Sequence, residues 1–530
     1  MAIKRYTATK DNTITNAYAA ALTADSRGTG SNMGMADVVE VFSIYGQASG
    51  SATGPSEELT RIIMEFPTST ISTDRTAGTI PASGSVSFYL RLFNAKHVFT
   101  LPRRFNLLVQ PIGNVYEAAS WEEGSGLDME EYKDKTYDGS GSNWIRRGKV
   151  GAWARPGGDF LTASTDISYN VFFPEGYEDL EVDISFLVED WLQNETGSTG
   201  IANYGLGIYL TGSQEAYYSS STLAHPTGAN SDGILNNEFG AQDSYYTKKF
   251  FARSSEYFFK RPVLEARWDS RIKDNRGSFY YSSSLATGAD NLNTLYLYNY
   301  VRGKLTDIPG LKDDAFGADS LQVSVYSGSS VPTGAALLLP VGGGVTTNLD
   351  TNITASRVST GLYTASFAVT GTLTKLFDVW YSGSVQYFTS SLAPKTLAAF
   401  NNAPTFQYVS AITNLKAKYT RNETARLRMF IRNKNWSPTV YNVATAQIVN
   451  QALLSASYNI YRIIDNLDAI PYGTGSDKQT YMSYDVSGNY FDVDMSLLEA
   501  GYSYGISVSY YNNSINDWAE QPETFKFRVD

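Results

Sequence analysis

The stretch SVSFYLRLF, at residues 85–93, decides the fold class because apolar and polar positions alternate along it. Val86, Phe88 and Leu90 fall on one face of an extended strand, whereas Arg91 falls on the other. A period of two residues is that of a β-strand with one buried face. The stretch therefore predicts a strand that lines a core.

Short runs of the same kind recur along the chain and are bounded by Gly, Ser, Asn or Asp. Tyr, Phe and Trp make up 14% of the residues, and aromatic side chains suit a pleated, half-buried surface. Helical periodicity is scarce, and the segment 180–192 alone predicts either a short helix or a strand followed by a turn. The sequence thus predicts an all-β protein. The other strand-like runs are 38–45, 61–66, 105–111, 206–210, 261–269, 321–326, 363–369, 427–431 and 504–511.

The chain of 530 residues is too long for one hydrophobic core. We predict an N-terminal jelly-roll-like sandwich at residues 1–275, followed by immunoglobulin-like β-sandwich modules at 290–400 and 405–530. The segments 361–388 and 488–512 support two similar modules. Each has a Gly-x-Tyr strand, a turn and an alternating aromatic strand, as in the later strands of an immunoglobulin-like sandwich.

The composition narrows the classes of function. There is no cysteine, which excludes disulfides and thiolate zinc sites. The net charge of −11 and the pI of about 4.9 argue against binding to nucleic acid. No apolar run is long enough to predict a membrane span. The basic opening MAIKRYTATK is not followed by the apolar run of a signal peptide, so we expect assembly in a cytoplasm.

Residues that could carry catalysis are few. The two histidines, His97 and His225, stand in loop-like sequence without a recognisable nucleophile beside them. Phosphate-binding, dinucleotide, metalloprotease and nucleophile-elbow motifs are missing from the sequence. We therefore predict that the chain is not an enzyme and needs no cofactor, with Ca²⁺ as the one ion that its acidic loops could hold.

Acidic residues beside aromatic ones could form a sugar site. Trp121, Glu122 and Glu123 are consecutive, Trp144 follows, and a second acidic run lies at 128–131. A glycosidase needs two carboxyl groups about 5–10 Å apart, and glycan subsites pair acids with aromatic rings. Acid-rich loops on an acidic protein are more often solvated faces, so catalysis is not the preferred interpretation. Trp121, Glu122, Glu123 and Trp144 remain candidates for glycan binding.

A cluster of aromatic residues near 250 is denser than one strand core requires. Aromatic residues and Arg are enriched at the centres of protein interfaces. We interpret the cluster as an interface, with a plain core and a glycan platform as alternatives. Basic pairs such as Lys248-Lys249 predict contacts with acidic neighbours rather than a nucleic-acid groove. The interface candidates are Tyr245, Tyr246, Phe250, Phe251, Tyr257, Phe258 and Phe259.

Five pieces of the first half of the chain form an ordered series. They are SNMGMADVVEVFS (31–43), LTRIIMEFPTSTI (59–71), TIPASGSVSFYLRLF (79–93), WEEG (121–124) with Trp144, and KRPVLEARW (260–268). In kind and order they resemble the DNRLRE-type, disaggregatase-related jelly-roll modules, which are carbohydrate-binding-like β-sandwiches. Long Gly/Ser/Asp-rich insertions at 128–142 and 219–246 depart from the family pattern.

Three further segments are KRYTATKDNTITNAY (4–18), YYTKKFFARSSEYFFKRPVLEARWD (245–269) and DNLNTLYLYNYVRGKL (290–305). Through them the whole chain also resembles virion structural proteins of marine tailed phages, especially those that infect cyanobacteria. This resemblance implies a structural component of the neck, tail, baseplate or fibre attachment. Such a component would be located in the virion, contact other virion proteins and form a homo-oligomer. The alternative is a tail-fibre or adhesin module that binds host surface polysaccharide.

Overall fold

A computed structural model describes most of the chain, which divides into two compact units. The first unit contains Ala2–Asp269 with Asp477–Gln479, and the second contains Ser270–Ser476 and Thr480–Asp530. The all-β prediction is confirmed, because strands dominate the described residues, which contain only two short α-helices. The described residues are 2–18, 27–46, 57–97, 102–113, 120–127, 141–149, 151–161, 167–197, 199–218, 234–311, 320–342, 348–370, 373–396, 408–434, 450–512 and 515–530.

The first unit is a sandwich of two antiparallel sheets. One has the order β1-β11-β5-β8, and the other has the order β10-β3-β4-β9-β6-β7, with β2 also paired to β4. Strands far apart in sequence are neighbours in both sheets, as a jelly roll requires. Its strands are β1 (Ile3–Thr7), β2 (Lys10–Thr15), β3 (Val38–Tyr45), β4 (Glu57–Glu65), β5 (Val86–Leu92), β6 (Phe105–Pro111), β7 (Tyr169–Phe173), β8 (Leu180–Asp183), β9 (Leu206–Leu210), β10 (Tyr245–Phe251) and β11 (Val263–Trp268).

The alternation that predicted β5 places its apolar face in the main core. Phe88, Leu90 and Leu92 are fully buried there, while Tyr89 and Arg91 lie on the opposite face. Burial of each such side chain contributes about 1.5–3 kcal/mol. This core between the two sheets holds the unit together.

Two helices lie beside the main core, α1 (Thr68–Thr76) and α2 (Ser185–Glu195). The segment 180–192 contains β8 and then most of α2. The structure thus has both a strand and a helix where the sequence predicted one or the other. The sequence did not predict α1, because Thr and Ser are weak helix formers. Its Arg75 guanidinium lies 2.6 Å from the Glu189 carboxylate of α2.

The second unit is built mainly of two pairs of β-sheets. The first pair has the orders β12-β20-β19 and β18-β15-β21-β22. The strands of this half, including two short hairpins, are β12 (Asn293–Tyr298), β13 (Tyr300–Val301), β14 (Lys304–Leu305), β15 (Gln322–Ser327), β16 (Leu339–Pro340), β17 (Leu349–Asp350), β18 (Ile353–Thr354), β19 (Ser356–Ser359), β20 (Leu362–Phe367), β21 (Leu376–Ser382) and β22 (Val385–Leu392).

The later pair of sheets has the orders β23-β25-β29-β28 and β24-β32-β30-β26-β27, with β31 paired to β30. The β24–β32 contact is parallel and the others are antiparallel. Its strands are β23 (Tyr408–Ile412), β24 (Lys418–Tyr419), β25 (Thr424–Asn433), β26 (Ala456–Arg462), β27 (Leu467–Ile470), β28 (Ser483–Asp485), β29 (Gly488–Asp494), β30 (Ser503–Asn512), β31 (Asp517–Glu520) and β32 (Phe525–Val529).

The two segments with similar sequence occupy similar places. In 361–388, β20 lies in one sheet and β21 in the opposing sheet, and in 488–512 the same is true of β29 and β30. Gly361 and Gly488, which open the two segments, have φ of 69° and 110°. A residue with a Cβ is strained at such values, which explains glycine at both positions. Both segments therefore cross from sheet to sheet within a sandwich.

Candidate functional site

The strongest candidate for a contact surface is the segment between β10 and β11 in the first unit. Ser255, which is buried, organises it: its hydroxyl accepts a hydrogen bond from Tyr257 N at 3.2 Å, and its carbonyl accepts one from Arg261 Nε at 2.9 Å. A single 3-10 turn, Phe258–Lys260, follows. The segment is thus held as a compact loop.

Four aromatic side chains of this loop and the end of β10 form what we call the aromatic patch: Phe251, Tyr257, Phe258 and Phe259. The Phe251 and Tyr257 rings meet edge to face at 5.3 Å, and the Phe258 and Phe259 rings do so at 5.5 Å. Tyr257 and Phe258 are 52% and 51% exposed. Large aromatic side chains are seldom left so exposed in a group without a partner surface.

Two cations lie on the aromatic patch. Lys260 Nζ is 5.2 Å from the centre of the Phe251 ring, and Arg261 Cζ is 5.2 Å from the centre of the Phe258 ring. A cation over a ring face is attracted by the negative face of the ring, at about 0.5–1 kcal/mol where exposed. The patch therefore presents apolar rings together with positive charge.

Arg253 fixes the loop to the body of the unit. Its guanidinium binds both oxygens of the Glu123 carboxylate, at 2.9 and 2.6 Å, and its backbone N–H donates to Asp11 Oδ2. Glu123 also accepts a hydrogen bond from Asp11 N at 2.9 Å. The hydrogen bonds with Glu123 raise the pKa of Arg253. One of the predicted glycan residues thus anchors the aromatic patch.

The structure separates the seven predicted interface residues. Phe250 is fully buried in the core, and Tyr245 packs against that core, so these two are packing residues. Phe251 and Phe259 are half-buried. Tyr246 is 45% exposed and lies where the register between β10 and β3 shifts. Together with Tyr257 and Phe258, these half-buried and exposed residues offer surface for a contact.

The predicted glycan residues do not form an open aromatic platform. Trp121 and Trp144 are 3% and 0% exposed and belong to a second hydrophobic cluster beneath the loops of the first unit. Trp121 Nε1 donates to Tyr204 O at 2.9 Å, and the Arg61 guanidinium lies 5.4 Å from the Trp144 ring centre. Both indoles are therefore packing groups, with no ring face left for a sugar.

The other residues that the sequence singled out for a site do not come together in the structure. Glu122 accepts a hydrogen bond from Lys149 N at 3.0 Å. Lys249 forms a salt bridge with Glu40 at 3.0 Å, whereas Lys248 is buried, so the acidic contact predicted for this pair is made within the chain by Lys249. His225, the acidic run 128–131 and most of the two long insertions lie outside the described residues. The sequence pattern did not predict the roles of Arg253, Lys260 and Arg261, although their alternation with aromatic residues was a visible signal.

Two classes of site are missing from the described part of the chain. No group of three or more His, Asp or Glu side chains there is arranged to hold a metal ion. No helix in the same residues is long and apolar enough to cross a membrane.

Comparisons with known proteins give no family. No family model matches the sequence, and no curated protein matches it. Among solved structures, a marsupial T cell receptor is 8% identical, with 48% of this chain and 71% of that chain covered and a TM-score of 0.15. The adhesin InvE of Yersinia pseudotuberculosis is 12% identical, with 46% and 55% covered and a TM-score of 0.14. Likenesses as slight as these carry no argument about function.

Proposed function

We propose that this chain is a non-enzymatic structural component of a tailed-phage virion, in the neck, tail, baseplate or fibre attachment, and that it acts by binding neighbouring virion proteins. The resemblance of segments 4–18, 245–269 and 290–305 to virion structural proteins supports the place in the particle. The exposed aromatic patch supports the mode of action, and it is the observation that carries the proposal.

The composition of the aromatic patch suits the centre of a protein interface. Tyr, Phe and Arg are enriched at such centres, where aromatic rings bury large areas at a low cost in side-chain entropy. Tyr257 and Phe258 each have about half of their surface still to bury. At roughly 25 cal/mol per Å², two such rings supply a contribution of a few kcal/mol when a partner covers them.

The charge of the aromatic patch defines its partner. Lys260 and Arg261 place positive charge on the rings of Phe251 and Phe258. A complementary surface is apolar at its centre and carries carboxylates at its rim. We therefore propose a neighbouring virion protein with an acidic, partly apolar surface as the occupant. The alternative, binding to host glycans, has no comparable support, because Trp121 and Trp144 are buried.

Incorporation into particles tests the proposal. A phage that encodes Tyr257→Ser with Phe258→Ser should incorporate at least tenfold less of this chain, measured by quantitative mass spectrometry of purified virions. The matched control is Phe239→Ser, which removes an aromatic side chain that is 90% exposed outside the patch. Circular dichroism of the purified variants verifies that both fold.

One outcome would overturn the proposed place in the particle, and another would overturn the proposed contact surface. Absence of the wild-type chain from purified virions, by antibody labelling and mass spectrometry, rules out a place in the particle. Equal incorporation of the patch variant and the Phe239 control rules out the aromatic patch as the contact surface.

A further inference from the structure

Lys248 is only 1% exposed although it belongs to β10, the edge strand of the larger sheet in the first unit. Its Nζ lies within hydrogen-bonding distance of three oxygens: Asn94 Oδ1 at 2.7 Å, Glu178 O at 2.5 Å and Gly176 O at 3.3 Å. A buried amine in direct contact with a carboxamide is an unusual pair, because burial of a lysine carries a large desolvation cost.

The surroundings of Lys248 are aromatic. The centres of the Phe173 and Phe250 rings each lie 5.0 Å from Nζ. Burial lowers the pKa of Lys248 to about 7, against the opposing influence of the Asp179 and Glu178 charges. A large share of the side chain is therefore the neutral amine near pH 7, which is the nucleophilic form.

Asn94 is held against Lys248 by the backbone on both sides. Ala95 N donates to Lys249 O at 2.9 Å, and Phe251 N donates to Phe93 O at 3.0 Å. With Nζ 2.7 Å from Oδ1 and a C=O bond of about 1.23 Å, Nζ lies at most about 3.9 Å from Asn94 Cγ. Reacting atoms about 3–3.5 Å apart are in position for attack, so a small movement suffices.

Glu178 also lies near Lys248, since its backbone oxygen binds Nζ and the charge of its carboxylate acts on the pKa of Lys248. Its Oε1 accepts a hydrogen bond from Glu175 N at 2.7 Å. Its Oε2 is buried and has no hydrogen-bond partner among the described residues. A buried oxygen without a partner loses the hydrogen bonds that water would give it, which calls for an explanation. Transfer of a proton between an amine and a leaving amide nitrogen is a task for such a group.

We propose that Lys248 and Asn94 form an intramolecular isopeptide bond. The lone pair of neutral Nζ attacks Asn94 Cγ, and a tetrahedral intermediate forms. Glu178 accepts a proton from Nζ and delivers it to Nδ2. The Cγ–Nδ2 bond then breaks and ammonia leaves, so one amide replaces another and no oxidant or reductant is needed.

The bond would join the two sheets of the first unit. Asn94 follows β5 of the smaller sheet, and Lys248 lies in β10 of the larger sheet, 154 residues later. A covalent link across so long a loop restricts the unfolded chain, as a disulfide does. The chain has no cysteine, so an isopeptide bond is an alternative covalent means of joining its sheets. This inference is independent of the proposed function.

Intact mass spectrometry of the purified full-length chain tests the bond. After incubation at pH 8, the mass should lie below that of the sequence by one ammonia, about 17 Da. A tryptic digest should contain one branched species that joins the Lys248 and Asn94 peptides. Full sequence mass with two separate linear peptides would overturn the proposal.

Substitutions distinguish the bond from other losses of ammonia, such as cyclisation of an asparagine onto its own backbone. Lys248→Met should restore the full mass, whereas Lys249→Met, a matched change at the adjacent lysine, should keep the deficit. Glu178→Gln should slow the reaction at least tenfold, so that fresh protein has the full mass. A deficit that persists in Lys248→Met contradicts the proposal. Should that variant not fold, the digest of the wild-type chain decides alone.

Discussion

Arg276 and Asp378 form a buried ion pair in the second unit, with Nη1 2.8 Å from Oδ1 and Nη2 2.7 Å from Oδ2. The Asp378 side chain is 0% exposed and also accepts a hydrogen bond from Trp380 Nε1 at 2.7 Å. Arg276 further lies 5.3 Å from the Phe388 ring centre. One arginine thus balances a charge in the core and packs against β22.

Removal of Arg276 should destabilise the second unit strongly. Arg276→Ala leaves the Asp378 carboxylate buried without its countercharge, which typically costs about 3–5 kcal/mol. The matched control is Arg426→Ala, which removes the partner of Asp492 from a pair whose side chains are 39% and 32% exposed. Exposed pairs contribute about 0–1 kcal/mol. Urea unfolding compares the two, and equal losses in both variants would contradict the prediction.

Glu265 lies at the centre of a second charge network, in the first unit. Its carboxylate is 0% exposed and lies 2.7 Å from Arg5 Nε, 3.0 Å from Arg91 Nη1 and 2.7 Å from Arg267 Nη2. Burial opposes ionisation, but the three guanidinium groups outweigh it and hold the pKa of Glu265 well below its usual range. The ionised form is therefore the one that the folded unit stabilises.

Glu265→Gln should lower the free energy of unfolding near pH 7 by about 3–5 kcal/mol, because three cations lose the anion that they share, although Arg91 and Arg267 keep their contacts with Glu181. A lowered pKa gives stability that is complete above the unfolded value of about 4.5 and is lost on acidification below it. The difference between wild type and variant should thus shrink below pH 4.5 in urea titrations. Glu423→Gln, at an exposed pair with Lys416, serves as the control and should show a much smaller change, because water screens an exposed pair.

The pKa of Asp11 is shifted in the opposite direction to that of Glu265. The Asp11 side chain is 1% exposed, and its Oδ1 has no hydrogen-bond partner in the described structure. Burial, aided by the negative charge of Glu123, raises the pKa of Asp11 to about 7. The folded unit therefore favours the protonated form. Stability falls as the pH rises from about 4 to 7, because Asp11 is ionised in the unfolded chain over this range but still protonated in the folded unit.

Asp11→Asn should remove that pH dependence, since asparagine keeps an oxygen for Arg253 N without a charge. The variant should be more stable than wild type at pH 8 by roughly 2–4 kcal/mol and nearly equal to it at pH 4. Urea unfolding at the two pH values measures the difference. Parallel pH profiles of the two proteins would show that folding does not raise the pKa of Asp11, which would contradict the prediction.

The sequence predicted strands well where one face is buried. The alternation in 85–93 and the apolar run in 38–45 gave β5 and β3 almost to the residue. It failed where tertiary packing overrides local pattern. The Ser/Thr-rich segment of α1 becomes helical because Ile71 is buried in the core and Arg75 binds Glu189.

The candidate site was predictable only in part. Period-two alternation could have placed Phe250 in the core and Phe251 outside, since successive strand residues point to opposite faces. Trp121 and Trp144 were misleading, because an acidic neighbour in sequence does not reveal that loops fold over the indole. Lys248 and Asn94 are 154 residues apart in the sequence. Their contact depends on how the sheet edges pair, which the local sequence pattern does not show.

Glu123 and Glu122 offer a matched pair for testing how the aromatic patch is held. Both are acidic neighbours of Trp121, yet Glu123 binds the Arg253 guanidinium through both oxygens, whereas Glu122 accepts from the backbone of Lys149. Glu123→Gln should therefore release the loop that carries Tyr257 and Phe258, and Glu122→Gln should not.

Hydrogen–deuterium exchange of the backbone should detect that release. In Glu123→Gln the amides of residues 253–261 should exchange at least tenfold faster than in wild type, because a charged bidentate contact worth about 1.5–3 kcal/mol is weakened. Exchange in β5 should be unchanged, since the main core is untouched. If both glutamate variants exchange like wild type, the loop is held by Ser255 and its own turn, and Glu123 does not order the aromatic patch. If only Glu123→Gln loosens the loop, that variant should also enter virions less efficiently, because the aromatic patch would have to be ordered again on binding.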